Sequence, residues 1–540
     1  MDTVAGAFLR LARAQPRRVF ATLLFAGEAP RAISYGDLLD NAGRFARYYA
    51  SAGIQRGQVV ILILPHGAEL LYAFVGALLH GAIPSIFAFP SIKTSPAEYR
   101  RVLEQLLAVC ATPFLVAEKG FGAGLPGGAP LSGLTLLDAA GYRAFPAGPD
   151  ADLEDAPERV VVLQHSSGTT GLKKGVALSN HAVMAQARDY AAALKLSPED
   201  RVVSWLPLYH DMGLIAAFIL PLVTGTPVVM MSPFEWVADP AMLLRAIREH
   251  RGTLCWLPNF AYNFLAARVE EEDAAAADLS SMRAFINCSE PVSARSHALF
   301  LERFGPRGVK PGMLATCYAM AETVFAVTQS VLGVPPAETE LDGRRVVSSG
   351  RLIAGVEARV VDAEGRPLPE RAAGEIVVRG ESMLSGYYRR PDLTATALRG
   401  GWYHTGDLGF LSGGELFVTG RLKDLIIVAG KNLYPQDLEE VVCSVPGVIP
   451  GRAAAFGVYD EELGTEGVVV LAETALTDEA ARRALKLAVA RAIREGLECV
   501  ANDIVLLPHM RLLKSSSGKI SRAGNRERYL KERKNGPGTP

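Results

Sequence analysis

The chain has 540 residues, which is enough for about two to four domains and for a sizeable buried core. Its 56 basic and 57 acidic side chains almost cancel, so it lacks the clustered basic excess that binding of nucleic acid requires. Hydrophobic residues make up 49% of the sequence, and this excludes an intrinsically disordered chain. The composition is that of a globular protein without a nucleic-acid partner.

The cysteines lie far apart and form neither a CxxC pair nor a spacing typical of metal ligands. They are Cys110, Cys255, Cys288, Cys317, Cys443 and Cys499. Such spacing predicts reduced, mostly buried thiols, as in a cytoplasmic protein. The N-terminal residues show no export signal, because their short apolar stretch is interrupted by arginines.

Two long apolar windows, at 70–90 and 213–233, raise the question of a membrane span. Glycines and prolines interrupt both windows, so each predicts a buried helix, a turn and a buried strand. The segments LLHGAIPSIF and LVTGTPVVMM resemble each other, which suggests two parallel-sheet layers of similar construction. We expect no transmembrane segment.

Further strands and helices alternate along the chain, which predicts an α/β fold. Strands are predicted at 59–64, 159–164, 355–363 and 468–471, and helices at 239–250 and 477–495. From about residue 350, short strands alternate with Gly-rich turns, and a mixed segment then closes the chain. The best single domain boundary lies close to Gly420.

The strongest local motif is a loop of small residues directly after the apolar strand that ends at Gln164. It reads Ser166-Ser167-Gly168-Thr169-Thr170-Gly171-Leu172-Lys173-Lys174-Gly175. Glycines let backbone N–H groups converge on an anion, while hydroxyl groups and a lysine add donors and positive charge. The loop therefore predicts a phosphate-binding site, although it does not match the Walker pattern.

Three further segments carry candidate functional groups. Tyr318 and Glu322 are four residues apart, which suits an aromatic ring stacked on a base and a carboxylate that reaches a phosphate-bound Mg²⁺. The segment WYHTGD, 402–407, precedes GRLKD at 420–424. A second small-residue loop, SSSGK, ends at Lys519.

These four segments, in this order and at these separations, resemble those of the adenylate-forming superfamily, which comprises acyl-CoA synthetases, fatty acyl-AMP ligases, luciferases and adenylation domains of peptide synthetases. The segments WLPLYHDMGL (205–214), PNFAY (258–262) and LYPQD (433–437) are most similar to the fatty acyl-AMP ligase and acyl-CoA synthetase branch. The resemblance implies a large N-terminal domain, 1–420, with layered α/β subdomains and a β-rich subdomain. A small, mobile α+β C-terminal domain, 421–540, would follow it.

The resemblance also implies an activity. Such enzymes join a carboxylic acid to the α-phosphate of ATP, release pyrophosphate and pass the acyl group to a thiol. It implies the following nucleotide-binding residues: Ser166, Ser167, Gly168, Thr169, Thr170, Gly171, Lys174, Ser289, Glu290, Pro291, Tyr318, Ala319, Met320, Ala321, Asp407 and Arg421. Glu322 would bind Mg²⁺, Lys519 would bridge the substrate carboxylate and the α-phosphate, and Lys423 would be the hinge between the domains. Lys519, His210 and Glu322 are the candidate catalytic residues.

The sequence departs from the usual family pattern at several positions, and the identity of the substrates stays open. Ala319 stands where the family usually has Gly, and the interval from Glu322 to Gly350 is too short for the extra insertion of fatty acyl-AMP ligases. The acceptor is therefore an acyl carrier protein or CoA. Candidates for an apolar acyl pocket are His210, Trp256, Phe260, Cys288 and Met320, which are equally compatible with core positions.

A fatty or other hydrophobic acid is the expected substrate, but two alternatives stay open. Asp211 is placed where it could neutralise an amino group, so an amino-acid-activating enzyme is one alternative. A non-catalytic relative that binds nucleotide is the other. It is disfavoured because Lys174, Glu322, Asp407, Arg421 and Lys519 are all present.

Overall fold

A computed structural model gives the arrangement of the chain. It describes residues 3–90, 96–121, 133–148, 155–165, 174–341, 344–428, 431–460, 465–497, 499–514 and 519–534.

The helices within these ranges are α1 (Val4–Ala14), α2 (Tyr35–Ser51), α3 (Ala68–His80), α4 (Pro96–Cys110), α5 (Asn180–Ala193), α6 (Leu220–Thr224), α7 (Pro233–Ala238), α8 (Ala241–His250), α9 (Asn259–Arg268), α10 (Glu271–Ala276), α11 (Ala294–Phe304), α12 (Pro391–Ala397), α13 (Pro435–Cys443), α14 (Glu479–Leu497) and α15 (Arg522–Lys534). A π-helix, Met212–Ile219, leads directly into α6.

The strands in the first part of the chain are β1 (Val19–Leu24), β2 (Arg31–Ser34), β3 (Val59–Ile63), β4 (Ile83–Ile86), β5 (Phe114–Ala117), β6 (Thr135–Asp138), β7 (Val160–His165), β8 (Gly175–Ser179), β9 (Val202–Ser204), β10 (Val228–Met231), β11 (Leu254–Leu257), β12 (Ala284–Cys288), β13 (Leu314–Cys317) and β14 (Thr328–Gln329). Those that follow are β15 (Glu338–Leu341), β16 (Arg344–Val347), β17 (Arg351–Leu352), β18 (Val356–Val361), β19 (Gly374–Gly380), β20 (Gly386–Tyr387), β21 (Leu398–Arg399), β22 (Trp402–Ser412), β23 (Glu415–Arg421), β24 (Ile426–Val428), β25 (Lys431–Leu433), β26 (Ala453–Asp460), β27 (Thr465–Thr474) and β28 (Ala501–Pro508).

Two sheets with parallel strands form the first part of the fold. One has seven strands in the order β13-β12-β11-β9-β10-β1-β2, and the other has four in the order β4-β3-β5-β6. All neighbouring pairs are parallel except β1 and β2, which are antiparallel at the edge of the larger sheet. The prediction of two parallel layers is correct, although the sequence did not indicate the antiparallel edge strand.

Both apolar windows fold as predicted, as a buried helix, a turn and a buried strand. Gly81 follows α3 and precedes β4, while Gly225 follows α6 and precedes β10. Both glycines are left-handed, with φ of 88° and 80°, a conformation that glycine adopts without steric cost. Among the described residues, no helix is long and apolar enough to cross a membrane.

The β-rich region predicted from about residue 350 is an antiparallel sheet of β18, β19, β22, β21 and β23. Beyond it, the sheet β26-β27-β28 separates two small cores, and alternate residues of β27 face opposite sides. Val468 and Val470 join one core with α13 and α14, while Val469 and Leu471 join the other, next to α15. The large core of the preceding part of the chain includes none of these residues.

Candidate functional site

The predicted segments meet at one edge of the seven-stranded sheet. Strands β9, β11, β12 and β13 are parallel neighbours, so their carboxyl ends lie along the same edge. Segments 205–214, 258–262, 289–291 and 318–322 follow these four strands in turn. Ligands of open α/β sheets bind at such an edge.

Asp407 is the centre of one group of contacts at this edge. Its Oδ2 accepts a hydrogen bond of 2.6 Å from the hydroxyl of Tyr318, and its Oδ1 lies 2.8 Å from Nε of Arg421. Asp407 and Arg421 are opposite each other in the β22–β23 pair, which explains their contact. Burial, together with the charge of Asp407, raises the pKa of Tyr318, so its hydroxyl stays a donor at neutral pH.

A residue that sequence reasoning missed holds the turn that presents Asp407. Glu375 contacts Nδ1 of His404 at 2.8 Å and accepts a hydrogen bond of 3.1 Å from the backbone of Gly406. Gly406 has a φ of 68°, which turns the chain just before Asp407. Nothing in the sequence signals this role, because Glu375 lies on β19, the strand beside β22.

Glu322 and Lys174 are connected through Tyr387, which sequence reasoning also missed. The Tyr387 hydroxyl donates to Oε1 of Glu322 at 2.9 Å, and Nζ of Lys174 lies 4.7 Å from the centre of the Tyr387 ring. Tyr387 lies on β20, which pairs with β8 directly after Lys174. The predicted phosphate-binding residues Ser166, Ser167, Gly168, Thr169, Thr170 and Gly171 lie outside the described residues.

Lys519 reaches this edge from the last part of the chain. Its Nζ donates a hydrogen bond of 2.5 Å to the carbonyl oxygen of Ser289, the residue after β12. Ser289 has a φ of 75°, in the left-handed region that non-glycine residues rarely adopt. Asp211 faces Lys519, whose charge favours the ionised carboxylate, but burial has the larger effect and raises the pKa of Asp211.

A second contact joins the same two parts of the chain, since the hydroxyl of Ser293 donates to Oε1 of Glu440 at 3.1 Å.

Lys423 lies in a short 3₁₀ helix, Leu422–Asp424, where burial and the neighbouring Arg421 lower its pKa. Next to it, Asp424 accepts a hydrogen bond of 3.0 Å from Arg522.

The candidate acyl-pocket residues differ in their environments. Trp256 and Cys288 are fully buried, and Nε1 of Trp256 donates to the Tyr190 hydroxyl at 2.8 Å. His210, Phe260 and Met320 are partly exposed.

The other predicted nucleotide-binding residues, in the 289–291 turn and at 319–321, lie at the same edge of the sheet. The backbone N–H of Phe260 donates to Oε2 of Glu290 at 3.1 Å, which connects the segment after β11 to the Ser289-Glu290-Pro291 turn. Ala319 and Met320 are partly exposed between the buried residues Tyr318 and Ala321.

Within the described residues, no cluster of three or more His, Cys, Asp or Glu side chains could hold a metal ion. A single carboxylate such as that of Glu322 would suit an ion such as Mg²⁺, which takes its other ligands from substrate phosphates and water.

The profile of the family described as "AMP-binding enzyme" matches residues 8–388. The chain belongs to this family. Long-chain-fatty-acid–AMP ligase FadD26 of Mycobacterium marinum is 30% identical over 88% of this chain and 87% of its own. The 4-hydroxyphenylalkanoate adenylyltransferase of Mycobacterium tuberculosis is also 30% identical, over 89% of this chain and 83% of its own.

A solved structure from a study of fatty acyl-adenylate ligases of E. coli and L. pneumophila has the same fold, with a TM-score of 0.90 and 28% identity over 99% of this chain and 98% of that one. The predicted fold class and the predicted membership in the adenylate-forming superfamily, on its fatty acyl-AMP ligase branch, are confirmed. The protein is therefore an adenylate-forming enzyme that uses ATP.

Proposed function

We propose that the protein activates a fatty or other hydrophobic carboxylic acid with ATP, releases pyrophosphate and transfers the acyl group from the adenylate to a thiol. The contact between Lys519 and Ser289 carries the proposal. It brings a lysine from the end of the chain to the sheet edge where Glu322 and Asp407 also lie. A cation at this position can approach two anionic reactants at once.

In the first half-reaction, a carboxylate oxygen attacks the α-phosphorus and pyrophosphate leaves. Lys519 would contact both the carboxylate and the α-phosphate. Its positive charge would stabilise the transition state more than the bound substrates, because the oxygens of the two anions approach each other there. Because its amino group already donates to a backbone carbonyl, the side chain is held at the site before the substrates arrive.

Asp407, Arg421 and Tyr318 would bind the nucleoside. The ionised carboxylate of Asp407 accepts hydrogen bonds, which suits the paired ribose hydroxyl groups. The Tyr318 ring would pack on adenine, beside the Ser289-Glu290-Pro291 turn and the segment Ala319, Met320 and Ala321.

Ser166–Gly171 and Lys174 would bind the phosphates, and Glu322 would act beside them. Lys174 would attract the β- and γ-phosphates, and Glu322 would bind Mg²⁺. When bound, Mg²⁺ neutralises charge that develops on the leaving pyrophosphate. Glu322 accepts a hydrogen bond from Tyr387, and the ring of the same tyrosine contacts Lys174.

The acid would occupy an apolar space next to Phe260, Met320 and His210. Relatives named as fatty-acid–AMP and hydroxyphenylalkanoate enzymes support such a substrate. The amino-acid alternative has less support, because burial favours the neutral form of Asp211 and Lys519 already faces this carboxyl group.

The acceptor would be the phosphopantetheine thiol of an acyl carrier protein or CoA. The fatty acyl-AMP ligase relatives favour a carrier protein, while the short interval between Glu322 and Gly350 leaves CoA open. We also propose a cytoplasmic location, consistent with six cysteines that are thiols in the structure.

We further propose that the chain divides into domains 1–420 and 421–540 and that Lys423 is the hinge between them. The separate cores on the two sides of this boundary support the division. Because Asp424 is bound to Arg522, rotation of the C-terminal domain would be confined to the residues just before it.

ATP–pyrophosphate exchange tests the first half-reaction. Purified protein is incubated with ATP, Mg²⁺ and labelled pyrophosphate, together with fatty, aryl or amino acids in separate reactions. We expect exchange with fatty or aryl acids. Exchange with amino acids alone would replace the proposal by the alternative, and a lack of exchange with every acid would refute it.

A further inference from the structure

Tyr387 lies between an acidic and a basic side chain that both face the proposed phosphate site. It is only 4% exposed, because β20 pairs with β8 and holds it against the core. Its hydroxyl contacts Glu322 and its ring face contacts Lys174. One side chain therefore contacts the proposed metal ligand and the proposed phosphate lysine in different ways.

Among the described contacts, Lys174 and Glu322 do not form an ion pair with each other, although both contact Tyr387. Opposite charges attract each other, and they pair where no side chain lies between them. A paired lysine attracts a phosphate less strongly, and a paired carboxylate is a weaker ligand for a cation. The contacts of Tyr387 leave both charges available.

Tyr403 contacts the hydroxyl group of Tyr387. Its hydroxyl lies 3.1 Å from that of Tyr387. A tyrosine hydroxyl has one hydrogen, and that of Tyr387 is donated to Glu322, so the Tyr403 hydroxyl donates to the Tyr387 oxygen. Burial raises the pKa of both phenols, so both remain protonated donors at neutral pH.

We propose that Tyr387 is a positioning residue that keeps Lys174 and Glu322 apart and thereby keeps both charges available to the nucleotide and its metal ion. The inference rests on the proposed function, because it takes the phosphates of ATP as the ligand of Lys174. It assigns Tyr387 no part in bond making or breaking.

Calorimetric titration with α,β-methylene-ATP tests the positioning role of Tyr387. This analogue is used because it cannot be cleaved at the bond that adenylation breaks. Binding is measured with and without Mg²⁺ for Tyr387→Phe, Tyr387→Leu, Glu322→Gln and the double variant. Tyr388→Phe is the matched control, since Tyr388 is the next residue and its hydroxyl is not in the described contacts of Lys174 or Glu322. Thermal unfolding confirms that each variant is folded.

In Tyr387→Leu, we expect the metal-free dissociation constant to rise about ten-fold, because Lys174 then pairs with Glu322. Adding Glu322→Gln should restore most of the metal-free affinity. Tyr387→Phe keeps the ring, so metal-free binding should stay near that of the natural protein, while the gain in affinity on adding Mg²⁺ should fall several-fold.

Two results would overturn the proposal: unchanged metal-free binding in folded Tyr387→Leu, or no recovery in the double variant. These binding measurements require no acid and no turnover. If the protein binds the analogue but catalyses no exchange with any acid, the proposed function fails while the role of Tyr387 is still tested.

Discussion

Nζ of Lys519 lies 2.5 Å from the carbonyl oxygen of Ser289, although 230 residues separate them in the sequence. Ser289 directly follows β12, where its left-handed conformation turns the chain at the carboxyl edge of the main sheet. The last part of the chain therefore already places its lysine at this edge. Such an arrangement is the one required for adenylate formation in our proposal.

Replacing Lys519 with Ala should slow adenylate formation by about 10²- to 10³-fold, because the transition state loses its cationic partner. ATP–pyrophosphate exchange measures this step. Transfer of the acyl group from chemically prepared acyl-adenylate to the thiol should change far less. Lys531→Ala removes an exposed lysine of α15 and is the control. Equal loss of both half-reactions would contradict the specific role of Lys519.

Replacing Asp407 with Asn should raise the KM for ATP about ten-fold. The substitution removes the charge that pairs with Arg421 and one of the oxygen acceptors proposed for the ribose hydroxyl groups. Steady-state rates at varied ATP measure the effect. Asp392→Asn is the control, because it breaks an exposed pair with Arg390. An unchanged KM for ATP would show that Asp407 does not bind the nucleotide.

Arg522 connects three elements of the C-terminal part of the chain. Its guanidinium donates to both carboxylate oxygens of Glu439, at 2.7 Å each, and to Asp424 at 3.0 Å. It lies three residues after Lys519, so it connects the proposed hinge to the segment that carries this lysine.

Replacing Arg522 with Lys should lower the exchange rate several-fold and leave the KM for ATP nearly unchanged, because a lysine cannot make the bidentate contact. Exchange rates at varied ATP measure both quantities. Arg526→Lys is the control, since Arg526 is exposed on the same helix and contacts only the carbonyl of Gly457 in the described contacts. A larger effect in the control would contradict the proposed connection.

Acid should destabilise the protein through His297. Burial lowers the pKa of His297 to about 4, and its Nε2 accepts a hydrogen bond from the amide of Asn287 at 3.0 Å. The unfolded chain therefore binds a proton at a higher pH than the folded chain does. The contribution of His297 to stability is complete above pH 6.5 and is lost as the pH falls from about 6.5 to about 4, by up to about 3 kcal/mol.

Denaturant unfolding of the natural protein and of His297→Gln across this pH range tests the effect. The glutamine retains an acceptor for Asn287 but does not titrate, so its unfolding free energy should depend less on pH. His509→Gln, at an exposed position, should behave like the natural protein. Identical pH dependence in all three proteins would exclude His297 as the cause.

The sequence predicted those features of the fold that a short segment determines by its own composition. The glycines after α3 and α6 and the apolar strands that follow them were evident, because a left-handed turn and a buried strand each have a distinct composition. The π-helical geometry of Met212–Ile219 and the antiparallel pairing of β2 were not evident. The pairing of β2 is with β1, its neighbour along the chain, but neither this pairing nor the π-helix has a compositional signal that we recognised.

The candidate site shows the same division. Asp407 and Arg421 lie in motifs, and strand pairing then brings them together. Tyr387 and Glu375 belong to no motif that we recognised, and their contacts arise only from the pairing of β20 with β8 and of β19 with β22. Sequence spacing does not determine the register of such pairings.

The most direct test of our account is mass spectrometry of the products formed from ATP, Mg²⁺ and a pool of fatty, aryl and amino acids, with CoA or holo carrier protein added separately. We predict an acyl-adenylate of a fatty or aryl acid, with AMP and pyrophosphate as the nucleotide products, and acyl transfer to one of the two thiols. Formation of ADP, or the absence of any adenylate while ATP is still bound, would contradict the account.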